Sequence, residues 1–375
     1  MKMNRRKFLG TTISAGLLAA AGAALPGCGG LTRADLPRRT TQPKPGGILD
    51  EPRRRILRYA ALAPSGHNTQ PWTVRPVGPD EWLIGTDPKR HLPAVDPQNR
   101  ETLLSLGAFA ENLSLAAGAL GFSAGIDVLA RENDDPEVMR VRLKASAPTD
   151  YPLGRLEKRM TVKGGYQNRE LSAADIKALS EPLAGRLHYF PRGTDHARCI
   201  QEGAVESFRR QSYRDPAQEE LVQWLRLSSE AARRHRDGLT TAGMEISGAK
   251  GWFIRNFVSP DDFLKQSFRE QGVTHTAKLA AQGGGWIIIT GSNRTPTELI
   301  ETGRRFEKMA LMARERNIAL HPMSQWLEEK WGLDQLAANH SADVHPQFVL
   351  RVGYLDRYPE PVSLRRPVDW FLKNT

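Results

Sequence analysis

The densest group of chemically capable side chains is the short turn Pro64-Ser65-Gly66-His67-Asn68-Thr69-Gln70-Pro71, set between Ala60–Ala63 and Trp72. A hydroxyl, an imidazole and two carboxamides in one turn contribute nothing to burying a core. They present donors and acceptors to one small molecule. Other candidates for chemistry are weaker. Gly121-Phe122-Ser123-Ala124-Gly125 matches the nucleophile-elbow pattern, but a long helix precedes it and a strand follows. That motif needs the reverse order, so the stretch reads as a helix stop and a serine hydrolase is excluded. His188, His196 and Cys199, or His340 and His345, lack a companion pair at zinc-site spacing and read as ordinary histidines and a packed, inert thiol. His235 sits on an Arg-rich helix face and reads as solvated. There is neither a Walker loop nor a strand–GxGxxG–helix order, so no P-loop or Rossmann site is supported.

The elements that must position the turn follow from periodicity. A helix over Arg53–Ala63 carries Ile56, Leu57, Ala60 and Ala61 on one face and stops before Pro64. Trp72–Val77 and Trp82–Thr86 read as strands across Gly78-Pro79-Asp80. A strong helix spans Arg100–Leu120, with Leu103, Leu106, Phe109, Leu113 and Ala116 at helical spacing and Gly121 as its stop. Ile126–Leu129 and Met139–Leu143 read as paired strands. Ser172 is a candidate N-cap for a helix through Leu183, followed by a strand over Arg186–Phe190. Residues 196–282 read as mostly helical and charged, and Trp286–Thr290 and Phe348–Tyr354 as strands.

Sliding the chain on itself by 196 residues matches Leu103 with Leu299, Gly107 with Gly303, Glu111 with Glu307 and Ala117 with Ala313. Upstream, Trp82-Leu83-Ile84-Gly85-Thr86 matches Trp286-Ile287-Ile288-Ile289-Thr290. A strand followed by a long helix therefore occurs twice, and an internal duplication is expected.

The chain of 375 residues has room for two ordinary domains. Its formal charge is +11, of which the first 27 residues hold +4 from Lys2, Arg5, Arg6 and Lys7, leaving +7. That balance suits phosphate or anionic lipid. No basic stripe interleaved with aromatics occurs, so nucleic acid is not an expected partner. Asn4-Arg5-Arg6-Lys7-Phe8-Leu9 and the mildly apolar run to Leu25 resemble a twin-arginine export signal, too weakly apolar for a membrane span. Leu25-Pro26-Gly27-Cys28 resembles a lipobox, with Cys28 as the lipidation site and Pro26 as a departure. Only Cys199 is then left, so no intramolecular disulfide is possible. Residues 1–28 are thus expected to be a signal with lipobox, and 29–48, with Pro37, Pro43, Pro45, Gly46 and Gly47, an extended tether.

Ala60-Ala61-x-Ala63-Pro64-Ser65-x-x-Asn68-x-Gln70-Pro71-Trp72 closely resembles the AAxxAPSxxNxQPW segment of the FMN-dependent nitroreductase family. The duplication and the signal resemble its double-length, exported branch, in which one chain mimics the usual dimer. Asp87 through Arg90-His91-Leu92-Pro93-Ala94-Val95-Asp96-Pro97 also resembles that branch. The resemblance covers about residues 50–130 clearly and 155–370 loosely. It implies an α+β fold of two nitroreductase-like halves, 49–150 and 151–375, each with a small mainly antiparallel sheet flanked by helices. Residues 196–282 would be a helical insertion or lid.

The same resemblance implies one FMN between the halves. Pro64, Ser65, Asn68 and Gln70 would face the ring. Arg159-Met160-Thr161-Val162-Lys163 looks like a weakened copy of the family's Arg-Arg-Ser/Thr-x-Arg, and Ser363-Leu364-Arg365-Arg366-Pro367 like its closing basic pair. Arg159, Thr161, Lys163, Arg365 and Arg366 would then hold the phosphate, through charge-assisted bonds about twice as strong as neutral ones. Ile318-Ala319-Leu320-His321-Pro322-Met323-Ser324-Gln325 would be the turn that brings the backbone N–H groups of Met323 and Ser324 to flavin N5. The implied activity is ping-pong reduction, from NAD(P)H, a quinol or a redox protein to a nitroaromatic, quinone or similar acceptor. Export would place the protein in the periplasm or on a membrane facing it, where NAD(P)H is not expected. The alternative is a flavin-sequestering protein with little turnover. No acid–base residue is assigned.

Overall fold

The computed structural model describes residues 30–36, 49–339 and 344–373. The residues read as an export signal, Cys28, most of those read as a tether, and His340 lie outside them. The first half opens with α1 (Glu51–Ala60), capped by the Asp50 carboxylate on the Arg53 N–H at 3.1 Å. It continues through β1 (Trp72–Pro76), β2 (Glu81–Thr86), α2 (Arg100–Ala119), β3 (Phe122–Val128) and β4 (Glu137–Ala145). The second half holds the short α3 (Gly154–Lys158), α4 (Ala173–Ser180) and β5 (Leu187–Pro191). An insertion follows, with α5 (Asp195–Ser212), α6 (Asp215–Trp224), β6 (Leu225–Arg226), α7 (Ser229–His235), β7 (Leu239–Thr240), α8 (Gly248–Phe257) and α9 (Gln266–Ala280). The half then resumes with β8 (Gly285–Gly291), α10 (Pro296–Glu315), β9 (Ile318–Pro322), α11 (Gln325–Glu328), α12 (Lys330–Asn339) and β10 (His345–Tyr354).

Two four-stranded antiparallel sheets result, ordered β1-β2-β4-β3 and β5-β8-β10-β9. Counting strands within each half, both orders run first, second, fourth, third. The helices flank these sheets, as the α+β expectation requires. The insertion occupies the place of the tight Val77–Asp80 connection of the first half.

Helices α2 and α10 cross at two glycines 196 positions apart. A Cβ built on Gly107 would lie 2.1 Å from the Ile300 carbonyl oxygen, and one on Gly303 would lie 2.1 Å from that of Leu104. Leu104 and Ile300 are themselves 196 apart, so the contact is reciprocal, as at a two-fold interface. Close approach lets Leu103, Leu104 and Leu106 share one core with Leu299, Ile300 and Leu311. That core explains why α2, buried along most of its length, carries few polar residues.

The C-terminus crosses to the other half. Val74 N–H donates to the Phe371 carbonyl at 2.8 Å, and Lys373 N–H to that of Val74 at 2.8 Å, extending the β1 edge in parallel. Phe371 is fully buried beside Phe109, which in turn lies 5.1 Å from the Trp72 ring.

Several sequence expectations are corrected in detail. The helix expected through Leu183 leaves the α-helical path after Ser180 for a 3₁₀ turn, since Pro182 has no N–H to donate. Residues 318–322 form an edge strand rather than a turn. Residues 30–36 are docked, not free, with Leu31 buried beside Ala232 and Leu364. Cys199 is exposed, because α5 turns Ile200, Gly203 and Ala204 inward instead.

Candidate functional site

The turn after α1 is strained and over-determined. His67, Asn68 and Gln70 take φ of 45°, 53° and 53°, a region that costs a non-glycine residue roughly 1 kcal/mol or more. Ser65 braces it, its Oγ accepting from Gln70 N–H at 2.9 Å and its carbonyl from Asn68 N–H at 3.0 Å. Pro64 is half-buried at its entrance. Three backbone residues held left-handed need external clamps, and two parts of the chain supply them.

The first clamp is the C-terminal pair. Arg365 donates to Asn68 Oδ1 at 3.0 Å and to the Leu62 and Ala63 carbonyls at 3.0 and 3.1 Å. Arg366 donates its N–H to Gln70 Oε1 at 2.8 Å and its guanidinium to the carbonyls of Gln70 and Trp72. The second clamp is the insertion. Gly238 N–H reaches the Asn68 carbonyl at 3.1 Å, and Gln70 Nε2 the Arg236 carbonyl at 2.9 Å. Arg90 ties Thr69 O at 2.7 Å to the buried Asp237 at 2.8 Å, and Arg226 pairs with the same carboxylate at 2.9 Å. So the polar groups of Asn68 and Gln70 are engaged with protein. Arg366, buried and bonded to three backbone or carboxamide oxygens, is a structural brace in this state.

Arg159 approaches from the second half, 5% exposed and 3.2 Å from the fully buried Glu307. Burial and the charges of Arg33 and Arg159 push Arg365 well below the ordinary arginine range. Arg33 is pushed down to about 10 by burial and by Arg159, and remains a cation at neutral pH. Three guanidiniums therefore lie within mutual reach, Arg159 and Arg365 beside the fully buried Glu307 and Arg33 beside Glu157. Burial drives the Glu307 carboxyl upward, with Arg159 opposing the shift. Arg33 Nη2 and Arg365 Nε are buried without a hydrogen-bond partner. Buried excess positive charge with unused N–H groups is the donor set a phosphate dianion would complete.

Sequence reasoning missed Arg33, which lies in the stretch read as tether. The signal was present: Thr32 and Asp35 form a capping box, the mark of a local helical turn.

Within the turn itself, His67 is pushed down to about 4 by burial, so its imidazole is neutral, and its Nδ1 is buried without a partner. Its charged neighbours are Glu101 and Lys163. The Lys163 backbone N–H donates to Glu245 at 2.6 Å, and its ammonium is pushed down by burial. Thr161 is half-buried between Met160 and Val162, which pack with Tyr166 and Tyr358. Methionine at 160, where the family pattern has arginine, thus serves an apolar cluster. His321 is held neutral by burial and by Arg351, whose Nη2 donates to His321 Nδ1 at 3.2 Å and leaves the His321 proton on Nε2. Met323 N–H is spent on the Val349 carbonyl at 2.8 Å, which corrects its expected role as a backbone donor to N5. Ser324 is buried at the β9–α11 corner. The structure therefore brings Arg365 and Arg366 onto the 64–70 turn and sets Lys163 within electrostatic reach of both His67 and His321.

A carboxyl cluster closes the far side. Glu101 lies 3.0 Å from Arg100 and 3.2 Å from where a Gly66 Cβ would sit, and Glu328 takes a 2.6 Å bond from Gln211. Burial and Glu101 push Glu328 well up and Asp96 up to about 7. Between pH 4 and 7 the native state therefore binds a proton at Asp96 that the unfolded chain has released. Stability should fall by a few kcal/mol as pH rises through that window. Urea midpoints should show this slope, and Asp96→Asn should flatten it. An unchanged slope in the variant would assign it elsewhere.

No protein-family model matches the chain. The Mycobacterium tuberculosis protein Rv3131 is 24% identical over 332 residues, covering 84% of this chain and 91% of that protein. PigM of a Serratia strain is 23% identical over 314 residues, 79% of this chain and 86% of its own. Both are provisionally named NAD(P)H nitroreductases. Among solved structures, the FMN- and NADPH-dependent nitroreductase NfnB of Sphigopyxis sp. strain HMH aligns with a TM-score of 0.37 at 12% identity, covering 59% of this chain and 96% of that one. A nitroreductase-like family protein from Bacillus cereus aligns at 0.36 and 10%, over 60% and 98%. Across most of its length, the chain is similar in sequence to proteins named as NAD(P)H nitroreductases.

Proposed function

We propose that the chain is a fused, nitroreductase-type oxidoreductase that holds one FMN between its halves and is exported, with Cys28 as a lipid anchor. The observation that carries this reading is the mutual approach of the buried Arg33, Arg159 and Arg365, the last bonded directly to the strained turn. The relatives' names support the class of activity. When bound, FMN would accept a hydride from a donor such as NAD(P)H or a quinol and pass electrons to a nitroaromatic or quinone. Arg159, Arg365 and Arg33 would hold its phosphate, while the turn at 64–70 and Lys163 would face its ring. His67 and His321, both neutral, supply imidazole groups with fixed tautomers or unfilled nitrogens rather than charge. Glu328 can retain a proton near the same region, because burial beside the like charge of Glu101 holds its carboxyl well above the usual carboxylate range.

One observation favours a second reading, a flavin-sequestering protein. Residues Arg236–Gly238 of the insertion bond directly to the turn and lie where a lid would close. One experiment separates the two. The purified chain should be yellow with one flavin per chain, and anaerobic NADPH, NADH or quinol should bleach it before a nitroaromatic restores the colour. Bound flavin that none of the three reduces selects sequestration. A colourless chain that FMN cannot reconstitute sinks both.

A further inference from the structure

Helix α8 leaves three large aromatic side chains in solvent: Trp252 is 48% exposed, Phe253 42% and Phe257 63%. They touch one another, with Phe257 centred 5.4 Å from Trp252 and 5.3 Å from Phe253, so they form one patch. Contiguous exposed aromatics of this kind mark an interaction surface. The opposite side of α8 is fastened to the body through Ile254, buried beside Leu225 and Leu227. The patch is thus presented on a fixed helix. The exposed Lys250 and Lys278, both neighbours of His275, give the region a basic flank.

The leading segment reaches the same place. A Cβ on Gly30 would lie 2.7 Å from Thr241 Oγ1, and Arg255 of α8 donates to that same hydroxyl at 3.4 Å. Leu31 is buried behind it. Cys28 precedes Gly30 by two residues, so the chain between their Cα atoms can span no more than about 7 Å. The cysteine within the lipobox-like sequence is therefore tied close to the helix that carries the aromatic patch.

We propose that α8 is a membrane-contact helix, whose Trp252, Phe253 and Phe257 enter the headgroup region of an anionic bilayer beside the Cys28 attachment point. Trp252, apolar with an indole N–H at its edge, favours the interface, the two phenyl rings add apolar area to bury there, and lysines add attraction to anionic lipid. A single covalent anchor leaves a protein free to swivel. A second contact beside it sets which face of the body meets the membrane. This inference rests on the proposed Cys28 anchor for its placement and does not depend on a flavin.

The test uses the full chain with Cys28→Ser, so that no acyl chain contributes. Binding is read by co-sedimentation with phosphatidylglycerol–phosphatidylcholine vesicles and by quenching of tryptophan fluorescence with brominated lipid. Combined Trp252→Ser, Phe253→Ser and Phe257→Ser substitutions should weaken binding about tenfold or more, and pure phosphatidylcholine should bind the parent less. Circular dichroism should be unchanged, since all three side chains are exposed. Equal binding by parent and variant overturns the proposal. So does a parent that fails to bind vesicles and runs as a dimer that the substitutions dissolve, which would make the patch a contact between copies.

Discussion

A Gly303→Val chain is expected to lose more than about 3 kcal/mol of stability, the largest single-residue effect on the fold. Its Cβ would fall 2.1 Å from the Leu104 carbonyl oxygen and 2.9 Å from the carbonyl carbon. These are backbone atoms of a buried helix, so no side-chain rotation relieves the clash. Relief requires α2 and α10 to separate, opening the core that Leu103, Leu106, Leu299 and Ile300 share. Gly107→Ala meets Ile300 O at the same 2.1 Å and should behave alike. Their effects should not add, because the first substitution already parts the helices. Gly78→Ala, with nothing within 4 Å of its Cβ, is the control and should leave the midpoint in place. Denaturant midpoints decide, and a Gly303→Val chain that unfolds with the parent would refute the crossing.

The long helices and their offset were legible because apolar spacing over twenty residues is a strong signal, and glycine at a matched position is rare by chance. Sheet order was not legible. Strand pairing depends on contacts between residues far apart, and nothing in Trp82–Thr86 shows that it lies between β1 and β4. The run Ile318–Pro322 was missed as a strand because four or five apolar residues carry no period to separate strand from turn. In the candidate site, Pro64, Ser65, Asn68 and Gln70 stood out by composition. Their partners did not. A basic pair such as Arg365-Arg366 reads as charge. Only the folded chain shows one guanidinium turned to the carbonyls of Gln70 and Trp72 and its neighbour near Arg33 and Arg159. His67 lies within the 64–71 turn and His321 within 318–325, yet isolated histidines look alike until burial separates them.

That division between the two arginines carries the second large effect. Arg365→Ala is expected to weaken FMN binding about a hundredfold, the loss of one buried charge-assisted contact. Stability without flavin should change by less than about 2 kcal/mol, because two effects oppose each other. The variant loses bonds to Asn68 Oδ1, Leu62 O and Ala63 O, each worth about 1 kcal/mol. It also removes a cation buried beside Arg33 and Arg159, which relieves like-charge repulsion. Arg366→Ala should show the opposite balance. It unties Gln70 and Trp72, leaves buried carbonyls unpaired, and should lower the melting temperature before any flavin is added. Riboflavin, which lacks the phosphate, tells the two roles apart. If Arg365 binds phosphate, Arg365→Ala should lower FMN affinity towards that of riboflavin and leave riboflavin binding itself unchanged. If affinity for both falls equally, Arg365 acts through its bond to Asn68 and the shape of the turn. The phosphate would then have to be sought at Arg33 and Arg159 without it.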